Sequence, residues 1–132
     1  VSDAGASRMN EPAFAAGVDR VINRPEAGLL HLLFECRSRR VADEMPAEDS
    51  ASFLSGLLVG SDASSSLRAF GTDRWSGPVC IIGAPEITGL YSAALHAIGC
   101  AAEAIDGDST SLAGLGYLHR RLAQRGPVRA AS

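Results

Sequence analysis

The sequence predicts an α/β fold in which three helices precede a β-α-β-α unit. Apolar residues recur at helical spacing over the first half of the chain, whereas residues 78–82 and 100–105 form short apolar runs of strand length. Each run is followed by a segment with helical spacing, and such an order predicts two parallel strands joined by a right-handed crossover. Since parallel sheets usually have more strands and two covered faces, we expect further strands to come from sequence beyond these 132 residues.

Three helices are predicted before the strands. The first covers residues 10–22 and opens with an asparagine cap. Residues 28–34 are apolar on nearly all sides, so the second helix is expected at the centre of the core. A third helix begins at Pro46 and continues through the serine-rich stretch 61–66, because apolar residues keep the helical spacing beyond it.

The second half alternates strands and helices. The run 78–82 is expected to be a strand buried on both faces and ended by Gly83, after which Pro85 opens the helix with the clearest period. The second strand, 100–105, leads through residues 106–109 into a last helix. We expect one lobe over residues 10–124, with flexible ends at 1–9 and 125–132.

Composition excludes several functions. All twelve basic residues are arginine, so lysine chemistry, including that of the P-loop and of Schiff bases, cannot come from this chain. The net charge of −3 gives no positive field for nucleic acid. Three widely spaced cysteines are typical of reduced thiols, and the longest apolar stretch is too short to cross a bilayer. We therefore expect a cytoplasmic protein without a nucleic-acid or membrane partner.

The first candidate site is Gly83-Ala84-Pro85, where a predicted strand ends and a predicted helix begins. Ligands of open α/β sheets bind at this carboxyl edge, where bare backbone can approach a flat ring closely. Alternatively, Gly83 only makes the turn and Pro85 only starts the helix. No Gly-x-Gly-x-x-Gly motif follows, which argues against a glycine-rich loop that binds a dinucleotide.

Other candidates lie on predicted helices. Gly56 and Gly60 expose bare backbone on one helix face, which either another helix or a ligand must approach. Arg37 ends an apolar helix segment and suits a carboxylate or phosphate, with a surface salt bridge as the alternative. Asp106 and Asp108 flank a glycine at a helix start. They either cap the helix or bind a metal ion or act in acid–base catalysis, and capping is the usual role at this position. The histidines have no carboxylate at ligand spacing and receive no role: His31, His96 and His119.

A series of segments resembles the C-terminal half of the 2-dehydro-3-deoxygalactonokinase family. The segments are 28–37 (GLLHLLFECR), 53–60 (FLSGLLVG), 82–85 (IGAP), 106–108 (DGD) and 112–115 (LAGL). Their order and spacing match across roughly residues 10 to 120. The resemblance implies the sugar kinase and actin superfamily, in which two ribonuclease H-like lobes close around ATP and substrate. It also implies transfer of the ATP γ-phosphoryl group to the 6-hydroxyl of 2-dehydro-3-deoxy-D-galactonate, with Mg²⁺ accompanying the nucleotide.

By this resemblance, Gly83, Ala84 and Pro85 border the adenosine, and Gly56 and Gly60 lie on a helix lining the cleft between the lobes. Among the residues, Arg37 is the candidate to meet the substrate, and none is assigned to a metal. The catalytic residues are unknown and expected in an N-terminal lobe that has no counterpart here, so the chain alone should be inactive.

Two alternatives to a kinase lobe remain open. One is a non-catalytic module that holds a small anion at the strand ends, and the other is an assembly module derived from such a kinase. An exposed sheet edge would also allow two copies to pair.

Overall fold

The computed structural model describes residues 9–71 and 77–125, and nearly all of the expected flexible ends lie outside this range. Five helices and two strands follow in the predicted order within it. Their bounds are α1 Glu11–Ile22, α2 Leu29–Val41, α3 Ala47–Phe70, β1 Val79–Gly83, α4 Pro85–Ala97, β2 Ala102–Asp106 and α5 Gly107–Arg125. The mixed α/β class is confirmed, and α3 runs through the serine-rich stretch as predicted.

Helices α1 and α3 form the centre of the helical part. The side chain of Asn10 caps α1 by accepting a hydrogen bond from the Ala13 N–H at 3.2 Å, while the Asn10 N–H donates to Ser52 Oγ on α3 at 2.9 Å. Phe14 and Val18 of α1 are buried in a core cluster that α3 and α4 complete. The start of α1 is thus fixed to the helix on which its apolar face packs.

Helix α2 lies at one side of the molecule, which corrects the prediction that it occupies the centre of the core. Leu32 and Cys36 are buried against α3 in a second cluster. On its other face, Leu30 is 69% and Phe34 62% exposed. The segment 28–34 is apolar all round, but among the described residues α2 packs chiefly on α3, so only one face is covered.

The two strands form a parallel sheet, as predicted, with Val79 opposite Ala102 and Gly83 opposite Asp106. Helix α4 covers one face, where Ile81 packs against the first cluster. Ile82 remains 57% exposed, so the prediction that β1 is buried on both faces is wrong for the described residues. The physical reason is that no other described element covers the second face.

Helix α5 extends away from the end of β2 and contacts the described sheet only slightly. Its apolar residues are exposed: Leu112, Leu115, Leu118 and Leu122. No helix among the described residues combines the length and apolarity needed to span a bilayer.

Candidate functional site

Both strands end, and both following helices begin, at one edge of the sheet. Gly83, the last residue of β1, pairs with Asp106, the last residue of β2. Helix α4 starts at Pro85, two residues after β1 ends, and α5 starts at Gly107 directly after β2. Helix N-termini carry partial positive charge and free N–H groups that can meet acceptor atoms of a ligand, although Glu86 and Asp108 lie in the first turns of these two helices and offset part of that charge.

The backbone at this edge is tightly packed on one side and open on the other. A Cβ at Gly107 would lie 3.2 Å from the Gly83 Cα atom, which is closer than side chains normally approach. A Cβ at Gly83 would meet only the Thr88 methyl group, at an ordinary 3.5 Å. Ala84 and Pro85 are exposed beside them. The predicted site residues Gly83, Ala84 and Pro85 therefore lie together at an accessible surface.

Polar groups at the edge are arranged around the two helix starts. Asp106 accepts a hydrogen bond from the Ser109 N–H at 2.8 Å. Hydrogen bonding by the Ser109 side chain and then by this N–H holds the pKa of the Asp106 carboxyl below its usual value. The Ala84 position offers no side-chain cap to α4, while Thr88 Oγ1 donates to the Pro85 carbonyl at 3.2 Å. Capping is thus the role that the structure gives Asp106. At the start of α4, Pro85 has no N–H and the N–H groups of Ile87 and Thr88 donate to the Ala84 carbonyl, so among these described residues the Glu86 N–H is left for a ligand.

A metal site is not present on the described part of this chain. No three His, Cys, Asp or Glu side chains come close enough there to hold an ion. Asp106 is engaged in capping and Asp108 is exposed in the first turn of α5. A magnesium ion at this edge would therefore be held mainly by a bound nucleotide and water, with no more than one or two of the described carboxylates.

Gly56 and Gly60 face α1 and not an open cleft. A Cβ at Gly56 would overlap the Phe14 carbonyl oxygen and lie 3.0 Å from the Gly17 Cα atom, and one at Gly60 would lie 3.2 Å from the Val18 Cα atom. Both glycines are buried. This packing argues against the expectation that they contact nucleotide, because α1 already occupies their bare faces. Helix packing, the alternative drawn from the sequence, explains both.

Arg37 is not brought to the carboxyl edge. It is exposed on α2, which packs on α3 and makes no substantial contact with the sheet. Among the described residues the ion pairs are Arg20–Glu35, Arg24–Glu26 and Arg39–Glu35, and Arg37 takes part in none. The substrate contact of Arg37 stays a prediction, and the alternative salt bridge is not formed in this part of the chain.

Two features escaped the sequence interpretation. Glu35 joins α1 to α2 by accepting from Arg20 at 2.7 Å and pairing with Arg39 at 3.0 Å, although its spacing of four from Arg39 was a visible signal. Gly107 is the second missed feature, and its position directly after β2, next to the end of a strand as Gly83 is, could have indicated it. A groove of about 850 Å³ also runs between α3, α4 and the outer edge of β1.

A family model described as 2-keto-3-deoxy-galactonokinase matches residues 2–118. The chain belongs to the 2-dehydro-3-deoxygalactonokinase family. The 2-dehydro-3-deoxygalactonokinase of Escherichia coli K12 is 34% identical over 103 residues, which are 78% of this chain and 34% of that protein. A Rhizobium meliloti protein (strain 1021), named a probable 2-dehydro-3-deoxygalactonokinase, is 30% identical over 92% of this chain and 39% of its own length.

A solved structure supports the same relationship. The crystal structure of a Sinorhizobium meliloti protein assigned to the 2-dehydro-3-deoxygalactonokinases superposes with a TM-score of 0.74 at 29% identity. The match covers 96% of this chain and 39% of that one. This member of the 2-dehydro-3-deoxygalactonokinase family thus spans between a third and two fifths of the length of these relatives. Family membership, inferred above from the segment series, is confirmed.

Proposed function

We propose that the chain forms part of the C-terminal, ribonuclease H-like lobe of a 2-dehydro-3-deoxygalactonokinase and supplies the adenosine side of its cleft. The enzyme would transfer the ATP γ-phosphoryl group to the 6-hydroxyl of 2-dehydro-3-deoxy-D-galactonate. Membership of the family and the superposition on a solved relative support this proposal.

The observation that carries the proposal is that packing does not require a glycine at position 83. Its φ lies outside the left-handed region, and a Cβ there would make only an ordinary contact with Thr88. A residue without a side chain at the accessible carboxyl edge is instead suited to a flat ring lying against the backbone. The neighbouring start of α4 has no side-chain cap, so its Glu86 N–H can meet an acceptor atom of a nucleotide.

Magnesium would supply neutralisation of the charge that develops on the phosphoryl oxygens. The described residues of this chain would bind and orient the adenosine, while Asp106 holds the start of α5 through Ser109. Arg37 is not included in this site, because α2 does not reach the sheet. We assign no proton transfer to any described residue.

Nucleotide binding by the labelled 132-residue chain tests the proposal. Amide resonances of Gly83, Ala84 and Gly107 should shift on titration with ATP, even at a Kd of about 1 mM, which corresponds to about −4 kcal/mol. Gly83→Val should weaken binding, since the branched side chain intrudes where the ring lies. Gly114→Val is the matched control, because Gly114 is exposed on α5 with open space around it.

Each outcome decides between the alternatives. Equal binding of ATP and inorganic pyrophosphate at this edge would favour an anion-holding module, and no shift with any nucleotide would favour an assembly module. Unchanged ATP affinity in Gly83→Val would refute the proposed site. In an active kinase containing this chain, Gly83→Val should raise KM for ATP and leave KM for the sugar acid unchanged.

A further inference from the structure

Helix α2 carries a second apolar face that points away from the core. Leu30, Phe34 and Val41 are 69%, 62% and 80% exposed, and the exposed Arg37 lies between the last two. The steps of four, three and four residues place these side chains in one stripe along the helix. We call these four residues the α2 stripe. It is distinct from the buried face of α2, which contains Leu32 and Cys36.

The α2 stripe is symmetric about its own centre. Leu30 and Val41 are equally distant in sequence from the midpoint of the stripe, and so are Phe34 and Arg37. In an antiparallel pair of α2 helices, Leu30 would therefore contact Val41 of the partner subunit, and Phe34 would contact Arg37 of the partner subunit. Two-fold interfaces require such self-complementarity, and a guanidinium over an aromatic ring is attractive. We propose that two copies of this chain associate through antiparallel α2 helices.

Charge at the ends of α2 supports the antiparallel orientation. The start of the helix has no side-chain cap and no acidic residue in its first turn, so its partial positive charge is uncompensated locally. Asp43 and Glu44, which follow the last turn, are exposed. An antiparallel partner places this acidic pair beside the start of the opposite helix. It also places the basic last turns, with Arg39 and Arg40, at opposite ends of the interface.

The size of the surface predicts a reversible dimer. A helix of 13 residues is about 20 Å long. One such helix from each copy gives an interface near or below the lower limit for stable complexes, about 1,200 Å² in total. We therefore expect association that depends on protein concentration. This contact differs from pairing at an exposed sheet edge, which would use β1 or β2.

Sedimentation equilibrium of the 132-residue chain over a range of concentrations tests the dimer. Phe34→Arg should weaken association at least about tenfold, because it removes the ring and opposes two guanidinium groups. Phe34→Glu should retain dimers, since a carboxylate would then meet Arg37. Leu115→Arg on the exposed face of α5 is the control and should leave association unchanged. Phe34 and Leu115 are exposed, and circular dichroism would verify that each variant folds.

Three results would overturn the proposal. A wild-type chain that stays monomeric excludes the dimer, and co-flotation of that monomer with vesicles of anionic lipid would assign the α2 stripe to a membrane surface. Dimers lost in Leu115→Arg would assign the interface to α5. Equal loss in Phe34→Glu and Phe34→Arg would show that the contact between Phe34 and Arg37 does not form.

Discussion

Replacing Gly56 by alanine tests the close crossing of α1 and α3. The new Cβ would overlap the Phe14 carbonyl oxygen and lie 3.0 Å from the Gly17 Cα atom. Both groups are backbone of α1 and cannot rotate away as a side chain could. The two helices must therefore separate, and the contacts of Phe14 and Val18 in the core cluster loosen with them.

The size of the effect follows from two opposing contributions. Alanine in place of a helical glycine stabilises by about 1 kcal/mol, whereas overpacking a tight core destabilises by about 1–3 kcal/mol and occasionally more. Because the overlap at Gly56 is with backbone, we place the overpacking cost at the upper end or beyond. The expected net loss is about 2–3 kcal/mol, which lowers Tm by about 10 °C in a chain of this length.

Urea and thermal unfolding of four matched glycine-to-alanine variants measure this loss. Gly17→Ala should resemble Gly56→Ala, because its Cβ would overlap the Phe53 carbonyl oxygen. Gly60→Ala should cost less, since its nearest neighbour is 3.2 Å away. Gly89→Ala on α4 meets nothing within 4 Å and should gain up to about 1 kcal/mol. Unchanged or increased stability in Gly56→Ala would refute the close crossing.

Two further predictions concern titratable groups. The hydrogen bond from Arg20 keeps the pKa of Glu35 below its ordinary 4.5, so this carboxylate stabilises the fold at neutral pH, and its contribution is lost as the pH falls below that value. Glu35→Gln should therefore lower the urea midpoint at about pH 7 and approach wild type near about pH 3, and an equal deficit at both would contradict this. Burial raises the pKa of the Cys36 thiol. Ellman's reagent should therefore modify the exposed Cys80 first and reach the buried Cys36 only on unfolding. Equal rates of modification of Cys36 and Cys80 in the folded protein would contradict the structure.

Element order and type could be predicted because they depend on local patterns. The five helices and two parallel strands follow the spacing of apolar residues, and proline or capping residues mark several starts. The burial of each element was harder to predict, because it depends on which other elements pack against that helix or strand. The apolar segment 28–34 and the strand 78–82 have the composition of buried elements, yet Phe34 and Ile82 are more than half exposed in the described chain.

The candidate site was predicted in part for the same reason. Gly83-Ala84-Pro85 could be placed at the carboxyl edge because a parallel strand followed directly by a helix fixes that position. Gly107 lies against Gly83 because of the register in which the two strands pair. The sequence of one strand does not determine its register with the other. Arg37 was selected on its chemistry alone, and no local pattern could show that α2 lies away from the sheet.

Glycines illustrate why sequence could not separate packing from binding. Gly56 and Gly83 both suggested bare backbone that something must approach. For Gly56 the approaching group is α1, whose backbone leaves no room for a Cβ. For Gly83 the described chain leaves room for a Cβ beside Thr88, and no left-handed φ demands glycine. Close packing against backbone thus explains the glycine at position 56 but not the glycine at position 83. For Gly83 we propose instead that a ligand approaches the backbone from the open side of the carboxyl edge.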